Sequence, residues 1–94
     1  MSQEKIVNGV DLEVVKGVIN AVTEKPDLAK SNFRAKNVWI DGGHSRTTVT
    51  DFYTAGQQIS HPKQFILDAD EPTIMAGKEQ AANPVEHLLN ALTT

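Results

Sequence analysis

Ninety-four residues, 39% hydrophobic and 22% charged, with few aromatics and a formal net charge of −3, describe one small domain of ordinary globular composition. The acidic balance offers no electrostatic footprint for nucleic acid or an anionic membrane, and no apolar run approaches the roughly 18 residues of a membrane span. The chain has no cysteine, so disulfides, thiolate-bound metals and a thiol nucleophile are excluded within these residues.

Residues 1–10 read as a lead-in without the charged-then-apolar pattern of a signal segment, so a cytoplasmic location is expected. Asp11 is placed to cap a helix in which Val14, Val15, Val18, Ile19 and Val22 follow helical spacing. The valines weaken intrinsic helicity, but strand alternation would put Val14 and Val15 on opposite faces. Pro26 ends this helix, and Asp27–Lys30 adds a further turn. Ser31–Ile40 reads as a first strand, with Phe33, Ala35, Asn37 and Trp39 on one face and Phe33 and Trp39 expected in the core.

Asp41-Gly42-Gly43 is a turn, and Arg46–Ile59 a long second strand with a bulge or bend at Gly56. Ser60-His61-Pro62 turns again into a third strand, Lys63–Ala69. Thr73–Ala82 is a loop, with a short strand possible at Thr73-Ile74-Met75. The last element is a helix from Asn83, with Pro84 at its first position and Glu86 in capping-box position. Val85, Leu88, Leu89 and Leu92 form its apolar stripe, and burial of that stripe is expected. The order is helix, three-stranded antiparallel meander, loop, helix: one α+β domain over residues 1–94.

Few residues have spacing that specifies chemistry. Glu86 is accounted for by capping, and His87 reads as solvent-facing. His44, Ser45 and Arg46 follow the glycine turn, where Arg46 offers a two-pronged fork to an anion or carboxylate, or simply decorates a hairpin tip. Ser45 has no neighbouring base. Asp68, Asp70 and Glu71 read as a solvated strand end. They lack the glycine and distal glutamate of a calcium loop, and no helix start follows Gly42-Gly43 to hold a phosphate. No metal or cofactor is expected.

The ordered set Phe33-Arg34-Ala35-x-Asn37-x-Trp39, the Gly-Gly turn with Arg46 beyond it, Phe65-x-Leu67-Asp68-Ala69-Asp70-Glu71-Pro72, Gly77, and Asn83-Pro84-Val85-Glu86-His87-Leu88-Leu89-x-Ala91-Leu92 resembles the OsmC/Ohr family, the osmotically inducible and organic hydroperoxide resistance proteins. It is most similar to the OsmC-like branch whose central helix opens with Asn-Pro-Val-Glu. The resemblance spans residues 7 to 92. It implies an intertwined homodimer and a thiol-dependent peroxidase acting on organic hydroperoxides. A cysteine further along the last helix is oxidised to a sulfenic acid and resolved by a second cysteine.

The resemblance carries Arg46 and Glu86 over as the polar pair beside the sulfur, although Glu86 stands one position later than the glutamate of the best-known peroxidase branch. It also makes the chain the N-terminal part of that fold, ending before the first redox cysteine and therefore inactive as a peroxidase by itself. The alternative expectation is a non-catalytic dimerisation or small apolar ligand-binding module. A cysteine-independent enzyme using His44 or His87 has no supporting spacing. Nucleic acid and membrane are not expected as partners.

Overall fold

The computed structural model describes residues 5–94. Helix and antiparallel sheet are combined in an α+β arrangement that divides into two units. One comprises the chain up to Phe33 together with Phe52–Ile59; the other comprises Arg34–Asp51 and Ser60–Thr94.

In the first unit, the segment expected as a lead-in is a small hairpin. β1 (Ile6–Val7) pairs antiparallel with β2 (Val10–Asp11) across Asn8-Gly9. Both turn residues have positive φ, 51° and 79°, as a two-residue type I′ turn requires. Asp11 then caps α1 (Leu12–Glu24), its Oδ1 accepting from the Glu13 and Val14 amides at 3.0 and 3.3 Å. The helix stops before Pro26, which opens a single 3-10 turn, Pro26–Ala29. The valine-rich segment is therefore helical, as its period implies. β3 (Asn32–Phe33) pairs with the end of β5 (His44–Thr54) in the register Asn32↔Tyr53 and Phe33↔Phe52. The Phe33 and Phe52 rings stack with centroids 5.5 Å apart.

Ala55 and Gly56, at φ 51° and 76°, make the two-residue turn from β5 into β6 (Gln57–Ala69). Gly56 is thus the hairpin turn itself, not a bulge inside a longer strand. Its backbone lies so close to Leu28 that an added Cβ would stand 2.9 Å from Leu28 Cδ2. Ser60-His61-Pro62, read from sequence as a turn, lies within β6. Among the described residues β6 pairs with β5 alone, so its other edge is open, and an open edge is where a residue without an N–H is tolerated.

In the second unit, β4 (Lys36–Asp41) pairs with the first half of β5, from Lys36↔Thr48 to Asp41↔His44. The expected single strand over Ser31–Ile40 is therefore two pieces, β3 and β4, with Arg34 and Ala35 between them. After β6 comes a closed loop with a 3-10 turn at Thr73–Met75, where a strand had been possible, and then α2 (Pro84–Thr93). Asn83 Oδ1 accepts from the Glu86 amide at 2.8 Å while Glu86 Oε1 accepts from the Asn83 amide at 3.0 Å, completing the capping box. Asn83→Ala should lower stability by about 1 kcal/mol. Urea unfolding at fixed protein concentration measures this, and an unchanged midpoint would show that the cap contributes nothing.

No hydrophobic side chain is buried among the described residues. Phe33 and Trp39, expected in the core, are 75% and 69% exposed, and the stripe Val85, Leu88, Leu89, Leu92 faces outward. The buried side chain is a carboxylate, Asp70, 1% exposed. No helix among the described residues is long and apolar enough to cross a membrane.

Candidate functional site

The side chains that converge do so around Asp68, near the end of β6. His44 and Arg46 are two residues apart on β5, so they share one face of the sheet. The Arg46 guanidinium grips Asp68 with two parallel bonds, Nε–H to Oδ1 at 2.8 Å and Nη2–H to Oδ2 at 2.9 Å. His44 Nε2 lies 3.0 Å from the same Oδ2, and because an ionised carboxylate only accepts, this nitrogen carries the hydrogen. The fork that the sequence left open to an anion is thus occupied by a carboxylate of the chain itself. Hydrogen bonds from Arg46 and then His44, reinforced by the arginine charge, hold the Asp68 carboxyl well below the usual carboxylate range against the opposing effect of desolvation. The same contact raises the Arg46 pKa further. Arg46 is fixed in place with three of its five N–H donors unspent.

The turn before β5 brings this group against the next loop. Gly42 adopts φ 58°. Gly43 packs on the acidic segment, where an added Cβ would come within 3.2 Å of Glu71 Cγ and 3.3 Å of Asp70 Oδ1. Asp70 is therefore not part of a solvated strand end. Burial alone would push its carboxyl up, but the backbone amides of Glu71, Gln80 and Lys78, aided by nearby His44, outweigh that and hold it low. Its Oδ1 accepts from Glu71 N–H at 2.7 Å and its Oδ2 from Gln80 N–H at 3.3 Å. The main chain closes around it: Asp70 N–H to the Ala82 carbonyl at 3.3 Å, Glu79 N–H to Glu71 at 3.0 Å and Gly77 N–H to Pro72 at 3.1 Å. Lys78 ties the loop to the end of β4 through Asp41 at 2.6 Å. That bond and the lysine charge lower the Asp41 carboxyl.

α2 joins this arrangement through a residue expected to face solvent. His87 is half-buried, and its Nε2–H donates to the Asp68 carbonyl at 2.8 Å. One aspartate therefore takes Arg46 and His44 on its side chain and His87 on its main chain. Glu86 does not join them. Its carboxylate is committed to the Asn83 amide, and it borders a separate hollow of about 300 Å³ with Pro72, Gln80 and Ala82. Among the described residues no hydrogen bond or ion pair joins Arg46 to Glu86, and no cluster of three or more histidine or carboxylate side chains is arranged to hold a metal ion.

Sequence reasoning named Arg46, His44 and His87 but missed Asp68 as their common partner. Its sign was the i, i+2 spacing of His44 and Arg46 facing an acidic strand end. Comparison of the chain with protein-family models and with curated proteins finds no match.

Proposed function

We propose that these residues form an OsmC-like domain, carrying the sheet and the opening of the central helix of that fold, which works as a homodimer and performs no peroxide reduction of its own. The reading rests on the ordered motifs from Phe33 to Leu92, and one structural observation supports its dimeric part. No hydrophobic side chain among the described residues is buried, and Val85, Leu88, Leu89 and Leu92 of α2 are 62%, 57%, 52% and 73% exposed, an apolar row that a second copy of the chain would cover.

The outward stripe on α2 is the natural apolar surface for that contact. Each leucine covered would contribute about 2 kcal/mol. In this reading Arg46 is the fixed cation of the site, positioned by Asp68, and Glu86 serves the helix cap first. An organic hydroperoxide is the substrate class of the family resembled. Its reduction needs a thiolate that these 94 residues do not contain.

Two measurements test the proposal. Light scattering at micromolar concentration should return twice 10.3 kDa. A monomer that unfolds cooperatively would overturn the dimer. Incubation with cumene hydroperoxide and a dithiol should consume peroxide at the buffer rate, whereas turnover that survives repurification would overturn the assignment of an inert chain.

A further inference from the structure

The face of the sheet opposite Arg46 holds a hollow that shares His87 alone with the Asp68 group. It is an open hollow of about 430 Å³ bordered by β4, β5, β6 and the start of α2, within the second unit. That is the size of a small-molecule site, for which about 300–1,000 Å³ is usual. Leu67, Ala69 and Pro84 make its apolar walls. Its other lining residues are Asn37, Ser45, Thr47 and His87. A sheet face lying under a helix ordinarily carries apolar side chains, so three polar residues there are a departure that packing does not explain.

Hydrogen-bond accounting defines what this lining offers. Asn37 Nδ2 donates to Ser45 Oγ at 3.2 Å and to Thr47 Oγ1 at 2.9 Å, which spends both amide hydrogens. The two hydroxyl oxygens are thereby acceptors in these bonds, and their own O–H groups remain to be given. Asn37 Oδ1 remains to be filled. His87 has its Nε2–H fixed on the Asp68 carbonyl, so neutral His87 keeps a lone pair on Nδ1, which bonds no described group. Asn37 is exposed and Ser45, Thr47 and His87 are half-buried, so the lining is open to a ligand from solvent.

We infer that this hollow binds a small neutral amphiphile, an apolar body with a head that both donates and accepts, such as a primary amide or an alcohol. Ser45 and Thr47 donate to the head's oxygen, and Asn37 Oδ1 or His87 Nδ1 accepts its hydrogen. A carboxylate satisfies the hydroxyls but meets two acceptor atoms with nothing to give them. A hydrocarbon leaves the whole set unfilled. The inference is independent of the dimer reading, because it concerns the sheet face between β4 and α2 and not the outward stripe of that helix.

Titration of the full 94-residue protein with benzamide, benzoate and toluene, followed by amide and side-chain NMR shifts, tests it. These probes share one body and differ in the head. Benzamide should move the Asn37 side-chain, Thr47 and His87 signals with a Kd of about 1 mM, and benzoate and toluene should bind about tenfold more weakly. Thr47→Val should bring benzamide down to the level of toluene, and Thr47→Ser should restore it, which separates loss of the hydroxyl from loss of the fold. Absence of shifts at these residues would overturn the site. Equal binding of the three probes, or a valine variant that binds benzamide as the parent does, would overturn the assigned head-group chemistry.

Discussion

Replacing Gly77 with alanine is expected to cost about 3 kcal/mol or more and to open the 70–82 loop. A Cβ on Gly77 would overlap the carbonyl oxygen and carbon of Glu71. These are backbone atoms, so no rotamer change relieves the clash. The Glu71 carbonyl is itself held, accepting from Glu79 N–H at 3.0 Å, and Gly77 donates to the Pro72 carbonyl at 3.1 Å. Moving either strand of the loop pulls Gln80 from Asp70 and leaves a buried carboxylate short of a donor. Urea unfolding and amide exchange at Glu79 and Gln80 give the readout, with Gly17→Ala in the middle of α1 as the control. Nothing lies within 4 Å of a Cβ there, so alanine should stabilise the helix by about 0.5–1 kcal/mol. A Gly77→Ala protein as stable as its parent would mean that the close approach to Glu71 is not part of the folded loop.

The second large effect belongs to Asp68 and is read against pH. Its carboxyl is held below its ordinary value of 3.8 by Arg46 and His44, so the unfolded chain takes up this proton before the folded one does. The contribution is fully present above pH 3.8 and is lost as pH falls through that value toward the folded pKa. Asp68→Asn removes this titration, so the variant should be less stable at neutral pH and should lose stability less steeply on acidification, with the lowered Asp41 and Asp70 retaining their share of the acid slope. Arg46→Lys keeps the charge but not the two-pronged grip, and should fall between parent and Asp68→Asn. Far-UV circular dichroism across acid pH at one protein concentration checks this. Superimposable acid transitions for parent and Asp68→Asn would remove Asp68 from its central place.

The helices were legible because their signals are local. Asp11 and the valine period announce α1, and Asn83, Pro84 and Glu86 announce α2; the side-chain capping hydrogen bonds are present at the N-terminus of each. The β1–β2 hairpin was legible and missed, since Asn8-Gly9 between Val7 and Val10 is a strong hairpin signal. The turn at Ala55-Gly56 was harder, because alanine at positive φ is uncommon and the flanking residues read as uninterrupted strand.

That error hid the site. A two-residue turn sets Thr54 opposite Gln57 and, carried back without slip, sets His44 opposite Leu67. His44 and Arg46 instead meet Asp68, so alternation counted back from that turn does not find their partner. A one-residue offset exchanges the faces of a strand, and composition does not encode it. The outward stripe of α2 was unreadable for another reason. A helical period says that one face is apolar, and only the neighbours say which face is covered. Here α2 bonds to β6 through His87, on the side where Pro84 borders the hollow.

The buried carboxylate has a thermal consequence. Apolar surface newly exposed on unfolding sets the heat-capacity change and hence the curvature of stability with temperature. A chain whose buried side chain is Asp70, and whose α2 leucines are more than half exposed, has less such surface to expose by itself than one with a closed apolar core. Its own stability curve is therefore shallower. Surface covered on assembly should add curvature to a calorimetric scan, and that part will grow with protein concentration.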